Sequence, residues 1–386
     1  MPERITAEEG RKLRLAHLKG IKRVVVKVGS AVLTGDAGLH TETMENLADE
    51  LAFLRESGRE VILVSSGAVA VGRRKLCIIQ PVLSLKEKQA TAAVGQCGLM
   101  HYYDSLFARR NLRVAQVLLT HSDLAHRGRY LNIKNTMATL FEWGVLPIIN
   151  ENDTVSAEEL QFGDNDTLAA LVTNLIDADI FICLTDVDSL YTANPTTDPA
   201  ATPVHTVAAI TDKVINMAGN SGSMLGTGGM HSKIRAAQMV AAGGGYSFIG
   251  PGRRPGVIQS LFKGELVGTF FLPQAEKEKL HSRKHWIAYV LRPKGYLVLD
   301  DGACRALARQ GSSLLPSGIV EVRGDFAAGD PVHCLNREGR AVAAGLINYP
   351  KAEVEKICGH HSSQIPEILG YQGDDEVIHR DNLVKL

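Results

Sequence analysis

Six short runs, apolar on both faces, punctuate the first 250 residues: 24–28 (VVVKV), 60–64 (EVILV), 113–119 (RVAQVLL), 144–150 (GVLPIIN), 179–184 (DIFICL) and 246–249 (YSFI). A strand without an apolar–polar alternation has no side to offer water, so it must be covered above and below. Between these runs lie stretches with apolar residues near i, i+3 and i+4, at 43–58, 86–110 and 233–245. That spacing predicts amphipathic helices. Strand and helix in alternation over such a length imply an α/β, doubly wound, mainly parallel sheet with helices on both faces and right-handed crossovers.

After about Leu272 the texture changes. A polar stretch, PQAEKEKLHSRKH, gives way to β-like pieces separated by glycine: GYLVLDDGA, GIVEVRG, DPVHCLN and GRAVAAGLINY. Turn signals at this spacing predict a small C-terminal β-rich domain. The expected divisions are a charged, helical extension at 1–20, a catalytic domain at 21–273, a linker at 274–284, the small domain at 285–370 and a tail at 371–386. Lys and Arg total 42 and Asp and Glu total 42, so no overall basic field advertises nucleic acid or membrane. The six cysteines form no C-x-x-C pair, which argues against a zinc ribbon or disulfide framework and fits a reducing compartment. With no signal-peptide core and no membrane-length apolar run, a cytoplasmic protein is expected.

In open α/β sheets ligands bind beyond the carboxyl ends of the strands. The residues there are Lys27-Val28-Gly29-Ser30, Ser65-Ser66-Gly67-Ala68, Asn150-Glu151-Asn152-Asp153 and Thr185-Asp186. Glycines before a helix let backbone N–H groups approach an anion, and the helix adds its positive end. Lys27 lies inside an apolar run, where an ammonium group needs either an anion or an escape to water from an edge strand. The stretch LGTGGMHSK (225–233) supplies a second lysine, Lys233, after glycines and before a helix. It departs from the P-loop pattern, since His231 replaces the second glycine and Ile234 follows the lysine. Asp164, Asn165 and Asp166 precede another helical run. Capping alone, worth about 1 kcal/mol, needs only one such residue. Two acids beside two suspect lysines suggest a carboxylate that orients them or meets a metal–nucleotide. HRD at 379–381 has no D-F-G partner, and GHHS at 359–362 reads as a polar loop or helix cap. The sum is an anion-binding α/β enzyme with two cations, a carboxylate and no evident general base, which fits phosphoryl transfer.

VVVKVGSAVLT, VILVSSGAVAVG, LPIINENDTV, FGDNDTLAALV, LTDVDSLYTANP and GTGGMHSKIRAAQMV occur in this order. Together they resemble the glutamate 5-kinases of the amino acid kinase superfamily, and the tail from Arg283 resembles the PUA domain of the longer bacterial members. The resemblance implies ATP-dependent phosphorylation of the γ-carboxylate of L-glutamate, with Mg2+ bridging the phosphates. It implies Lys27, Asp166 and Lys233 as catalytic residues, with Asp166 holding the lysines. Ser66, Asp153 and Asn165 would bind glutamate, Asp153 meeting its ammonium group. Lys27, Thr185, Asp186, Thr227, Gly228, Gly229, Met230, His231, Ser232 and Lys233 would contact ATP. It further implies inhibition by proline, a homo-oligomer (dimer or tetramer) and hand-over to glutamyl phosphate reductase. The readings it competes with are a relative acting on acetylglutamate or aspartate, and an RNA-binding regulator. Residues 281–386 carry 13 Lys and Arg against 13 Asp and Glu, so no basic excess favours RNA.

Overall fold

The computed structural model describes residues 5–35, 38–80, 82–155, 165–218, 229–273, 284, 286–308 and 312–386. The expected linker at 274–284 lies almost wholly outside them. The chain divides into two units, Met1–Lys279 and Leu280–Leu386.

The first unit is built on eight strands: β1 (Arg23–Val28), β2 (Glu60–Ser65), β3 (Val114–Leu119), β4 (Leu146–Glu151), β5 (Ile180–Thr185), β6 (Thr206–Val207), β7 (Tyr246–Pro251) and β8 (Thr269–Phe271). Their order in the sheet is β6-β8-β7-β5-β1-β2-β4-β3. Every pairing is parallel except β7 with β8. The main helices are α1 (Ala7–Leu18), α2 (Thr41–Glu56), α3 (Ala68–Lys75), α4 (Leu85–Ala108), α5 (Arg127–Glu142), α6 (Asn165–Leu175), α7 (Met230–Ala242) and α8 (Val257–Phe262).

Pleating sends alternate residues to opposite faces. Val24, Val26, Val28, Ile180 and Ile182 enter one core with Met44, Leu51, Leu99, Phe107 and Ile258 from α2, α4 and α8. The intervening residues of β1 and β5, Lys27 and Cys183 among them, meet α6 and α7 on the other face. All six apolar runs are strands, and five are buried along most of their length; β3 departs from the expectation, because at the edge of the sheet it is largely half-buried with Gln116 exposed. Among the described residues no helix is long and apolar enough to cross a membrane.

Residues 1–20 do more than extend the chain. Thr6 and Glu9 form a reciprocal capping box at the start of α1. Arg14 on α1 is fully buried. Its guanidinium donates to the carbonyls of Val267 (2.7 Å), His205 (2.5 Å), Gly268 (3.3 Å) and Glu265, and it lies over the Phe270 ring. Burial pushes its pKa down to about 10, so it remains charged at neutral pH. An arginine side chain thus ties α1 to the backbone beside β6 and β8. Arg14→Ala removes a charged donor from all four carbonyls; His205 O keeps the Phe270 N–H, but a buried one left unpaired, as at Val267, costs about 1–3 kcal/mol. We expect a stability loss of about 3 kcal/mol, read as a lower urea midpoint for the variant.

The second unit carries β9 (Gly295–Leu299), β10 (Ile319–Gly324), β11 (Pro331–Leu335), β12 (Ala341–Leu346) and β13 (Leu383–Lys385), ordered β10-β9-β11-β12-β13. Leu297, Leu299, Val332 and Cys334 pack under α9 (Lys351–Ile357) through Val354. The segment 371–386, expected as a tail, ends as an edge strand paired with β12. His361 and His379 each accept a backbone N–H at the start of a short 3-10 turn, which is the capping use expected of the GHHS loop.

Candidate active site

Three elements bring their charges to one place. Lys27 stands next to the end of β1, a central strand, so escape to water at an edge is closed to it. It is 3% exposed, and Lys233 in the first turn of α7 is 4% exposed. Both reach Asp166, which α6 carries in its first turn and which is wholly buried. Lys27 Nζ is 2.5 Å from Asp166 Oδ1. Lys233 Nζ is 3.2 Å from Asp166 Oδ2. Two buried ammonium groups thus share one buried carboxylate in a water-poor setting.

The two lysines border a cleft of about 660 Å³ at the carboxyl ends of the strands. Lys27, Gly29, Ser30, Ser66, Gly67, Asn150, Asp153, Asn165, Thr185, Asp186 and Lys233 all contribute to its walls. Gly67 begins α3 with φ +105°, a backbone region that side chains disfavour, and no side chain caps the helix. The N-terminus of α7 at Gly229 also lacks a side-chain cap. Both helix ends therefore present N–H groups and positive dipole.

One wall is a hydrogen-bonded polar lattice. Asn165 Nδ2 shares its two N–H donors among Ser66 Oγ (2.7 Å), Ser65 O (3.1 Å) and Asn150 Oδ1 (3.1 Å). Asn150 Nδ2 in turn donates to Gln96 Oε1 (2.9 Å). Ser65 Oγ donates to Ser66 O, and Tyr103 OH lies 2.8 Å from Ser65 Oγ. This arrangement leaves Asn165 Oδ1 buried with no hydrogen-bond partner. An orphaned acceptor of this kind asks for a donor from a ligand. Asp153 is half-buried; desolvation, with Glu151 nearby, pushes its pKa up to about 6. Thr185 Oγ1 donates to Asp186 Oδ1 (2.9 Å).

The profile of the amino acid kinase family matches residues 22–249, and that of the PUA domain matches 295–369. A glutamate 5-kinase of Desulfotalea psychrophila is 58% identical over 95% of this chain and 97% of its own length. One from Geobacter sulfurreducens is 51% identical over 97% of this chain and all of its own length. The chain belongs to the glutamate 5-kinase family. As in the amino acid kinase family at large, a mainly parallel sheet carries the catalytic unit, and in this member of the glutamate 5-kinases a β-rich PUA domain follows.

The residues expected from the glutamate 5-kinase resemblance divide into three groups. Lys27, Ser66, Asp153, Asn165, Thr185, Asp186 and Lys233 line the one cleft, with Asp166 beneath it. Gly229, Met230, His231 and Ser232 form the start of α7; His231 is exposed, and Ser232 Oγ donates to Asp166 Oδ2 (2.9 Å). Thr227 and Gly228 lie outside the described residues, as does Asp164. Arg73 also lines the cleft and was not anticipated from sequence. Its signal was available: it stands seven residues after Ser66, two turns along a helix that begins at the cleft.

Proposed function

We propose that the chain transfers the γ-phosphoryl group of ATP to the γ-carboxylate of L-glutamate, giving L-glutamyl 5-phosphate and ADP, the first step of proline biosynthesis. The observation that carries this reading is one buried carboxylate, Asp166, holding two buried ammonium groups from separate crossover units beside a single cleft. A γ-carboxylate is ionised at neutral pH (its usual pKa is about 4.3) and attacks without a general base. Its oxygen forms the new P–O bond as the bond between the γ-phosphorus and the bridging oxygen breaks, and ADP leaves. Lys27 and Lys233 neutralise charge on the transferring group and on the leaving oxygen. The uncapped start of α7, with Thr185 and Asp186 across from it, suits the nucleotide.

For the amino acid, Asp153 and the orphaned Asn165 Oδ1 suit the α-ammonium group. Ser66 and Arg73 suit the α-carboxylate. Proline carries the same two groups and would compete for them. Magnesium suits this setting as the ATP complex. It takes oxygen ligands, largely phosphate and water, and Asp186 on the cleft wall is a donor of the right kind. Bound there it would shield the β- and γ-phosphates.

Trapping the acyl phosphate with hydroxylamine tests the reading. Hydroxamate should form with ATP and L-glutamate; formation only with acetylglutamate or aspartate would refute it. The raised pKa of Asp153 adds a second check. Below about pH 6 its carboxyl is protonated and no longer attracts an ammonium group. KM for glutamate should therefore rise as pH falls through 6, by up to about tenfold per unit, while kcat at saturation changes less. Asp153→Asn should raise KM throughout and abolish this pH dependence. A variant whose only change is in the KM for ATP would show that Asp153 serves the other substrate.

A further inference from the structure

Asp166 receives more donors than its two lysines. Cys183 Sγ lies 3.4 Å from Oδ1, and Ser232 Oγ donates to Oδ2 at 2.9 Å. Each oxygen thus takes at least one ammonium and one neutral donor. The placement is dictated by the fold. Lys27 on β1 and Cys183 on β5 are partners in the parallel register, so their side chains leave the same face of the sheet side by side. Ser232 directly precedes Lys233 in the first turn of α7, where its single hydroxyl proton is shared between Asp166 Oδ2 and Gly229 O (2.8 Å). Cys183 is wholly buried, and burial together with the charge of Asp166 pushes its pKa far up, so the thiol keeps its proton and acts as a donor.

We infer that Cys183 and Ser232 are positioning residues for the transfer: by occupying one acceptor site on each oxygen of Asp166, they fix the plane of the carboxylate and hence where Lys27 and Lys233 meet the phosphoryl group. The inference rests on the phosphoryl-transfer reading given above. Without the thiol, Oδ1 loses a donor that fixes the carboxylate plane, and the direction in which it holds Lys27 is less defined. Without the hydroxyl, the same holds for Oδ2 and Lys233. Neither side chain needs to touch substrate for this, so the effect falls on turnover more than on binding.

The test is a kcat-against-KM comparison of isosteres on the full-length enzyme. Cys183→Val keeps the volume and removes the donor; Cys183→Ser keeps a donor and shortens the side chain. Cys183→Val should lose about tenfold in kcat, with both KM values within about twofold, while Cys183→Ser stays within about threefold of the parent. Ser232→Ala should fall about tenfold and Ser232→Thr should recover most of it. Wild-type kcat in Cys183→Val, or equal losses in the valine and serine variants, would overturn the inference. Should Cys183→Val fail to fold, the Ser232 pair decides alone, with wild-type kcat in Ser232→Ala as the contrary result. If the unmodified enzyme makes no hydroxamate from glutamate, the functional reading fails. If it does and the donor-deleting variants match it, only the present inference fails.

Discussion

Lys233→Ala should lower kcat by about 10³-fold while leaving KM for glutamate within about threefold, the pattern of a group that acts mainly in the transition state. The ammonium group is buried in the first turn of α7 and held 3.2 Å from Asp166 Oδ2, so the substitution removes a charge already oriented and largely stripped of water. The groups proposed to bind the amino acid, Ser66, Asp153 and Asn165, line the other wall and stay intact. Stability should change little in comparison, because Asp166 keeps Lys27 as a counter-charge. Steady-state kinetics at saturating ATP reads the result directly. A turnover number close to that of the parent would contradict the role given to Lys233.

Asp166→Ala should be the most damaging single change in the chain. It leaves two ammonium groups, each at most 5% exposed at the side chain, without the anion between them. Breaking a buried ion pair by removing one partner costs about 3–5 kcal/mol, and here one carboxylate serves both cations. Three further groups converge on it: the Cys183 thiol, the Ser232 hydroxyl and the first turn of α6, whose dipole favours a negative charge there. We expect a loss of about 4 kcal/mol in unfolding free energy and about 10³-fold in kcat, measured by urea denaturation and by kinetics on whatever fraction folds. Asp166→Asn keeps the shape and should be milder in stability, yet nearly as inactive, because the lysines lose their fixed direction. An Asp166→Ala enzyme with ordinary stability and turnover would mean that the carboxylate organises nothing.

Sequence patterns reached the fold because its strands are buried on both faces. The apolar runs at 24–28, 60–64 and 179–184 correspond to β1, β2 and β5, and the glycines and hydroxyls after them mark the cleft. Lys27 was conspicuous for the same reason: a charge inside a central strand demands a partner. What could not be read was register and long-range pairing. Nothing in DIFICL distinguishes Cys183 from its apolar neighbours; only its alignment with Lys27 across the parallel ladder gives it Asp166. Arg14 was hidden similarly. In a charged stretch it looks like any solvated residue, and its four carbonyl partners lie about 190 to 250 residues further along the chain. Arg73 was within reach of helical arithmetic once Gly67 was taken as the start of a helix, but the tip of its side chain gives no pattern of its own.

The central claim is that Lys27 and Lys233 converge on the phosphoryl group in flight. A crystal structure of the enzyme with glutamate, ADP and a planar phosphoryl mimic such as aluminium fluoride tests it most directly. Both Nζ atoms should lie within hydrogen-bonding distance of the mimic or of the oxygens it bridges, with the glutamate γ-carboxylate in line on its far side. A mimic bound with either ammonium turned away from it would contradict the account.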